Sequence, residues 1–245
     1  MFGFLLSRRW VLFALFVVVL GFACWRLGVW QFDRLQERRA DNAIIERNLR
    51  APAVPVNEVM SAEQPLPAQQ QWRKVTVTGT YQVADETLVR YQTRDGRPGV
   101  NVLTPLRSAA GATVLVDRGW MPVTNDPTAP VDAPDPPAGR VTVTGWALPD
   151  QGGDTDQVTP IDGEVRLVSS RGFTGLTDGP LLQGYVTAAA ERPAPRRPLV
   201  RAEPPELSSG PHFFYGLQWW FFAALAVGGF GYFAYAESRD RRRGR

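Results

Sequence analysis

Residues 10–25 decide the fold, and they read WVLFALFVVVLGFACW without a single charged side chain. With the five residues that follow, Arg26 to Trp30, the segment has 21 residues. A helix of that length is about 31 Å long, and the hydrocarbon core of a bilayer is about 30 Å thick. Residues 10–30 are therefore predicted to form a transmembrane helix, with Arg26 near one boundary, where its long side chain reaches the headgroups.

A cleaved leader is the alternative for this segment. Arg8 and Arg9 precede the apolar run, as in a secretory signal peptide, but no small-x-small cleavage site follows it. A lipid anchor would use Cys24, but the bulky Phe22 stands where such a site needs a small residue. A retained span is therefore the preferred interpretation.

A second apolar segment lies near the other end of the sequence. Residues 213–236 read FFYGLQWWFFAALAVGGFGYFAYA, which is 24 residues without a charge and corresponds to about 36 Å of helix. Aromatic residues near both ends of the segment are typical of the interface between membrane and water. This segment is predicted to form a second transmembrane helix, tilted to fit the bilayer.

Charge is segregated along the sequence in a way that orients the two segments. The net charge is +3, but residues 1–9 carry +2 and residues 237–245 carry +3, which leaves −2 for the rest. By the positive-inside bias, both basic tails are expected in the cytoplasm and residues 31–211 on the outer side. Because the folded part is not basic, these charges argue against nucleic acid as a partner and favour the lipid bilayer.

Residues 31–211 are expected to form one mainly antiparallel β domain, after a helix over residues 30–50 and a proline-rich loop over residues 51–70. Apolar and polar side chains alternate with period two, which predicts strands, and turn signals separate them. The edges of the sheet are expected to be hidden by curling or closure. The predicted strands cover residues 75–79, 87–91, 99–103, 113–117, 141–145, 164–168 and 184–188.

One short sequence occurs twice in this region. Residues 141–145 repeat the VTVTG of residues 75–79. A duplication and two strands in similar surroundings would both produce this repeat, and the second explanation is slightly preferred. Residues 122–139 lie between the two copies, hold six prolines, and are predicted to form a linker or a long surface loop.

The inventory of reactive side chains argues against an enzyme built on the β domain. The sequence has one His, His212, directly before the second apolar segment, and one Cys, Cys24, inside the first. A Ser-His-acid triad needs its His in a cleft, and a copper or zinc site needs several imidazole or sulfur ligands. No Gly-rich phosphate loop is present, and no pair of carboxylates stands out.

His212 is the candidate metal-binding residue, because a neutral imidazole is a common axial ligand to haem iron. Gly216 on the same helix face, and Gly28 at the matching depth of the first segment, would leave space for a flat apolar ligand. Arg26 or Arg34 would be in range of the ligand's carboxylates. The alternative is an interfacial His that hydrogen-bonds a loop carbonyl, with glycines that aid helix packing. The candidate cofactor-binding residues are His212, Tyr215, Gly216, Trp219, Gly28, Trp30 and Arg34.

Four motifs carry a resemblance that extends over both apolar segments and most of residues 70–147. They are residues 27–34, LGVWQFDR; 72–81, WRKVTVTGTY; 99–105 with 114–122, GVNVLTP and VLVDRGWMP; and 212–219, HFFYGLQW. Together they resemble the surfeit-locus cytochrome c oxidase assembly family. In the third motif, Gly119 is expected to adopt a backbone conformation that a Cβ would disfavour, and Trp120 is expected to pack on the sheet.

Some positions depart from the pattern of that family. The family often has Asn where this sequence has Pro211, and often Asn at the position that matches Asp117. Residues 148–205 match little and are rich in proline and glycine, which is consistent with a lineage-specific insertion.

The resemblance implies an assembly factor for haem-copper cytochrome c oxidase rather than an enzyme. It implies assistance in delivering or inserting haem a into the oxidase large subunit, transient binding of that haem through His212, and contact with the haem a synthesis machinery. The competing hypothesis is a membrane-tethered scaffold that binds oxidase subunits without haem, and an outward-facing enzyme is a third. No transit peptide precedes Trp10, so the inner membrane of a bacterial cell is the expected location.

Overall fold

The computed structural model describes residues 3–124 and 130–243, and these form two compact units. One unit joins the described residues of 1–43 to those of 207–245, and the other comprises the described residues of 44–206. The first unit is helical, and the second is built on a β-sheet. Part of the predicted proline-rich linker, residues 125–129, lies outside the described residues.

The described residues contain three α-helices: α1, Arg8–Arg50; α2, Thr155–Val158; and α3, His212–Arg243. The helices α1 and α3 each contain a stretch that is long and apolar enough to cross a membrane. The prediction that the first segment continues as a helix to residue 50 is confirmed. α1 ends two residues before Pro52, because the residue that precedes a proline disfavours helical backbone. α3 begins directly after Pro211, whose fixed backbone angle suits the start of a helix.

The helices α1 and α3 pack through a seam with a seven-residue repeat. Along α1 the buried side chains of Trp10, Val17 and Cys24 are seven residues apart, and so are the buried Gly28 and Leu35. Large apolar side chains outside the seam are exposed, and such all-round apolar character is typical of a helix that crosses a bilayer. These exposed side chains include Val11, Leu15, Phe16, Phe22, Phe221 and Tyr232.

The second unit contains an eight-stranded sheet in which five strands form a closed ring. The strands are β1, Val54–Pro55; β2, Arg73–Tyr81; β3, Thr87–Val89; β4, Gly99–Ser108; β5, Thr113–Pro122; β6, Val141–Leu148; β7, Glu164–Val165; and β8, Leu181–Arg192. Their order is β1-β2-β6-β8-β5-β4-β3-β7, and an additional pairing joins β2 to β4. The ring β2-β6-β8-β5-β4 has no free edge, so closure, one of the two expected arrangements, is observed.

The sheet is mixed, and the prediction of a mainly antiparallel sheet is wrong in this respect. Within the described residues, β1 with β2, β3 with β7, and β5 with β8 are parallel pairs. β8 follows a long connection, residues 149–180, and lies between β5 and β6, parallel to the first and antiparallel to the second. Alternation along a strand shows which side chains face the core, but it carries no information on the direction of the neighbouring strand.

The segment 148–205 is an integral part of the domain, so its interpretation as an insertion is wrong. β8 is a central strand of the ring, and its Val186 and Ala188 belong to the main core. The residues before β8 cover the opposite face of the sheet, where Phe173 packs in a second cluster with Leu115 of β5. Without this segment the ring would be open and that second face would be exposed to water.

The two VTVTG stretches are neighbours in the ring. They pair antiparallel, with Val77 opposite Val143 in the core, while on the other face the hydroxyl oxygens of Thr78 and Thr142 lie 2.8 Å apart. Adjacent strands that share one core need the same alternation of apolar and polar residues. Similar surroundings therefore account for the repeat without a duplication.

Candidate functional site

His212 is the first residue of α3, and its side chain reaches α1. Its Nδ1 atom lies 2.8 Å from Oε1 of Gln31. Since an amide oxygen can only accept a hydrogen bond, Nδ1 carries the ring proton in this contact and the lone pair is on Nε2. Among the described residues Nε2 has no hydrogen-bond partner, and a tautomer fixed in this way is the arrangement in which an imidazole binds a metal.

His212 stands by itself as a candidate metal ligand. In the part of the chain that the structure describes, no three His, Cys, Asp or Glu side chains lie close enough together to hold a metal ion. A haem iron would fit this single donor, because the porphyrin supplies four of its ligands and the protein needs to supply only one. An isolated ion without a porphyrin would find too few ligands here.

The space expected at Gly216 and Gly28 is filled by aromatic rings. A Cβ on Gly216 would lie 2.7 Å from Cε2 of Phe32, and a Cβ on Gly28 would collide with the indole of Trp220. The Phe32 and Trp220 rings also contact each other, with centroids 4.8 Å apart. The prediction of a hollow for a flat ligand between the helices is therefore wrong, since both glycines serve to admit a ring of the facing helix.

The other candidate residues lie on the surface of the helical unit. Tyr215 is 47% exposed and Trp30 is 49% exposed, while Trp219 is half-buried. The guanidinium carbon of Arg34 lies 6.0 Å from the ring centroid of Trp30, and Nη1 of Arg34 forms an ion pair of 2.7 Å with Glu37. Any flat ligand of His212 would therefore lie on this outer surface, not between the helices.

Sequence reasoning missed three residues at this end of the helical unit. Gln31 holds His212, and Phe32 and Trp220 fill the glycine positions. Gln31 and Phe32 both belong to the motif LGVWQFDR, so the sequence placed them near the end of the first apolar segment. It did not indicate that they contact α3. Trp220 lies four residues after Gly216 and so on the same helix face, but spacing alone does not separate it from Trp219, which lies three residues after Gly216.

A buried charged cluster lies in the β domain around Arg118, whose side chain is 1% exposed. Nη1 of Arg118 forms an ion pair of 2.8 Å with Glu86, and Nη2 donates a 2.8 Å hydrogen bond to the carbonyl of Pro134. Nε lies 3.9 Å from Glu191, and the guanidinium carbon lies 5.6 Å from the ring centroid of Tyr81. Such a buried guanidinium is tolerated only because carboxylates and a carbonyl surround it.

Glu191 joins this guanidinium to a second one. The Tyr81 hydroxyl donates a 2.5 Å hydrogen bond to Oε1 of Glu191, and Arg201 pairs with Oε2 and also donates to the carbonyl of Arg118. Burial, and then the nearby carboxylate, raise the pKa of Tyr81 above its ordinary value, so the phenol stays protonated and donates. The quoted motifs contained Arg118 and Tyr81 but not Glu86, Glu191 or Arg201, and the motifs did not show that any of these residues meet, because they are far apart in the chain.

Residues 199–201 form a strap that lies across the end of β5. Val200 N donates to the carbonyl of Trp120 at 2.9 Å, and Trp120 N donates to the carbonyl of Val200 at 2.8 Å. Gly119 has a φ of +132°, and a Cβ there would lie 2.7 Å from the Val200 oxygen, so the expectation for Gly119 is confirmed. Trp120 is buried, and its indole donates to the carbonyl of Gln92 at 2.8 Å, which confirms that it packs on the sheet.

Asp117 is buried beside this strap and accepts two hydrogen bonds. Asn101 Nδ2 donates to Oδ2 at 2.7 Å, and Gly119 N donates to Oδ1 at 3.0 Å. Burial raises the pKa of the Asp117 carboxyl, and the two hydrogen bonds oppose that rise. Among the described residues, Oδ1 of Asn101 is buried without a hydrogen-bond partner. An amide flip of Asn101 would therefore offer an acceptor to a neutral residue at position 117.

Asp117→Asn is expected to raise the free energy of unfolding at pH 8 by about 1 kcal/mol, because it removes a buried charge and keeps both hydrogen bonds after the flip of Asn101. An acid with a raised pKa binds more protons when folded than when unfolded. Its contribution to stability therefore falls as pH rises from the ordinary aspartate range to the raised pKa. Thermal unfolding of the detergent-solubilised full chain is the measurement. Between pH 4 and pH 8 the melting temperature of the variant should fall less than that of the wild type.

Asp178→Asn is the matched control for this substitution. The Asp178 side chain is 72% exposed, and its ion pair with Arg107 at 3.2 Å is also solvent-accessible, so its loss should change stability by well under 1 kcal/mol. A clear loss of stability in Asp117→Asn at pH 8 would show that the charge of Asp117 is needed by Asn101 and Gly119.

Comparison with known proteins identifies the family of this chain. The model of the SURF1 family matches residues 18–224. Uncharacterised SURF1-like proteins of Mycobacterium tuberculosis and Mycobacterium bovis are each 33% identical over 246 residues, which cover 98% of this chain and 89% of each relative. A SURF1-like protein of Rickettsia felis is 31% identical over 97 residues, or 38% of this chain and 39% of the relative. The resemblance of the four motifs is thereby confirmed, and the chain belongs to the SURF1 family.

Proposed function

We propose that this protein is an assembly factor for haem-copper cytochrome c oxidase that helps haem a reach the oxidase large subunit. The SURF1 family is known in general for a role in oxidase assembly, and the family match supports that part of the proposal. The observation that carries the haem part is the 2.8 Å contact between Nδ1 of His212 and Gln31, which leaves Nε2 of the imidazole without a hydrogen-bond partner among the described residues.

The residues around His212 would hold a haem on the outer surface of the helical unit. The Nε2 atom of His212 would coordinate the iron, and the porphyrin ring would pack on the apolar surface of the helices. Arg34 would bind a haem carboxylate, since its present ion pair with Glu37 is exposed and therefore weak. One axial ligand and an open surface site suit a carrier that receives haem from the synthesis machinery and then releases it to the oxidase.

The test is an absorption spectrum of the full chain purified from cells that synthesise haem a. A haem a spectrum in proportion to the protein is the expected result. Protein that is stable and free of haem after gentle purification, and that also fails to take up added haem a, would contradict the proposal.

A membrane-tethered scaffold that binds oxidase subunits without haem is the second candidate. The observation in its favour is the filling of the Gly28 and Gly216 positions by Trp220 and Phe32, which accounts for both glycines without any ligand. For a scaffold, loss of His212 should leave oxidase maturation unchanged, whereas the first proposal requires a delay.

We also propose that α1 and α3 cross the inner membrane of a bacterial cell, with both termini in the cytoplasm and the β domain outside. The apolar stretches of both helices and the arginines beyond them support this orientation. Alkaline phosphatase fused after Gly152, in an exposed loop, should be active, and the same enzyme fused after Arg243 should be inactive. The reverse pattern, or two inactive fusions with normal amounts of protein, would contradict the orientation.

A further inference from the structure

A cavity of about 520 Å³ opens where the beginning of α1 meets the end of α3. This is the opposite end of the helical unit from His212, so the cavity is not part of the proposed haem site. Its principal lining side chains are Arg9, Trp10, Phe13, Phe233, Glu237 and Asp240.

Aromatic rings form the inner wall of this cavity. The rings of Phe13 and Phe233 have centroids 6.4 Å apart, and Phe230 behind them lies 5.4 Å from Phe13 and 5.7 Å from Trp10. The contacts are edge-to-face or tilted, which are the favoured geometries for aromatic pairs, so the wall is well defined. A wall of this kind accepts the apolar part of a ligand.

The mouth of the cavity carries opposite charges on its two sides. Arg9 comes from α1, while Glu237 and Asp240 come from α3, one helical turn apart. Glu237 already pairs with Arg241 at 2.9 Å. In residues 3–124 and 130–243, neither Arg9 nor Asp240 forms an ion pair, although both face the same cavity. A cation and an anion held apart in this way complement a ligand that carries both charges.

We propose that this cavity binds one zwitterionic phospholipid with a primary amine in its headgroup, of the phosphatidylethanolamine type. Arg9 binds the phosphate and Asp240 accepts hydrogen bonds from the ammonium group. The aromatic wall takes the glycerol region and the first part of an acyl chain. Phosphatidylglycerol would satisfy Arg9 through its phosphate, but its uncharged glycerol headgroup would bring no cation to Asp240 and Glu237. A choline headgroup has no N–H to donate. The site rests on the proposal that α1 and α3 cross the membrane.

The test is native mass spectrometry of the full chain in detergent, titrated with phosphatidylethanolamine, phosphatidylcholine or phosphatidylglycerol of identical acyl chains. One phosphatidylethanolamine molecule should bind about tenfold more tightly than either of the others, which corresponds to roughly 1.4 kcal/mol. Asp240→Asn should remove that preference, and Arg9→Gln should weaken the binding of phosphatidylethanolamine, because Arg9 binds its phosphate.

Arg8→Gln is the matched control, because Arg8 precedes Arg9 but does not line the cavity. It should leave the preference unchanged. Equal binding of all three lipids, or a preference that survives Asp240→Asn, would overturn the site. The arginine-rich tail attracts anionic lipids without specificity, and moderate salt suppresses that attraction. Extraction of the protein from membranes by alkaline carbonate would instead overturn the proposed membrane crossing, so the two failures are distinguishable.

Discussion

Gly119→Val is expected to reduce the amount of folded protein in the membrane by at least about tenfold. Gly119 has a φ of +132°, which a β-branched residue essentially never adopts, and the added Cβ would lie 2.7 Å from the Val200 oxygen and 2.9 Å from Cβ of Leu199. Backbone strain and overpacking together cost about 2–6 kcal/mol. Since a domain is stable by only about 5–15 kcal/mol, a large part of that margin is lost.

The structural reason for so large an effect is the number of contacts that meet at Gly119. Its N–H donates to Asp117, and the strap pairs with the next residue, Trp120. Displacement of the strap would also pull Arg201 away from Glu191, which would leave a buried carboxylate with one partner fewer. A shift at this one residue therefore disturbs both the strap and the buried charged cluster.

Two other glycines provide matched controls in the same domain. Gly111 also has a left-handed φ, +90°, but a Cβ there meets nothing within 4 Å, so Gly111→Val carries the backbone strain without the collision. Gly152 has neither a left-handed φ nor a neighbour within 4 Å of an added Cβ, so Gly152→Val should behave like the wild type. Immunoblots of membrane fractions should show the most protein for Gly152→Val, less for Gly111→Val and the least for Gly119→Val. A normal amount of Gly119→Val with failed oxidase assembly would show that this loop is a contact site.

The positions of the helices and strands could be predicted from the sequence because they follow from local patterns. The apolar run over residues 10–25 and the alternation in VTVTG depend only on neighbours within one helix or strand. Every predicted strand overlaps an observed one, although the ends differ. Direction was not predictable for β8, since its parallel pairing with β5 depends on how the connection over residues 149–180 returns to the ring.

The candidate site was predictable only in part, for a similar reason. His212 stood out as the one imidazole in the chain, and Gly119 stood out in its motif. A glycine in a helix indicates a close approach, but the sequence does not state whether a ligand or a side chain makes that approach, and here Phe32 and Trp220 do. The partners Glu86 and Glu191 reach Arg118 from other strands or loops, so only the folded chain reveals them.

His212→Ala is expected to lower haem a binding by at least about tenfold and to delay oxidase maturation, while the protein still inserts and unfolds at a similar temperature. The imidazole is half-buried and makes one side-chain hydrogen bond, to Gln31, so its loss costs the fold only about 1 kcal/mol. The iron, by contrast, loses its protein ligand. Gln218→Ala, at an exposed position of α3, is the control and should keep the full haem spectrum.

Gln31→Ala separates a ligand role for His212 from a purely structural one. Gln31 fixes the proton on Nδ1, so its removal should weaken haem binding by about tenfold and shift the absorption bands, with His212 still present. If the role of His212 is purely structural, Gln31→Ala and His212→Ala should both keep the haem content of the wild type.

Free imidazole added to His212→Gly should restore the haem spectrum, because a small imidazole can occupy the space of the missing ring and coordinate the iron. If His212→Ala retains the full spectrum, the haem is bound elsewhere and the scaffold becomes the better account. If imidazole restores both the spectrum and oxidase maturation, the nitrogen of His212 is the functional group and the side chain's packing is not.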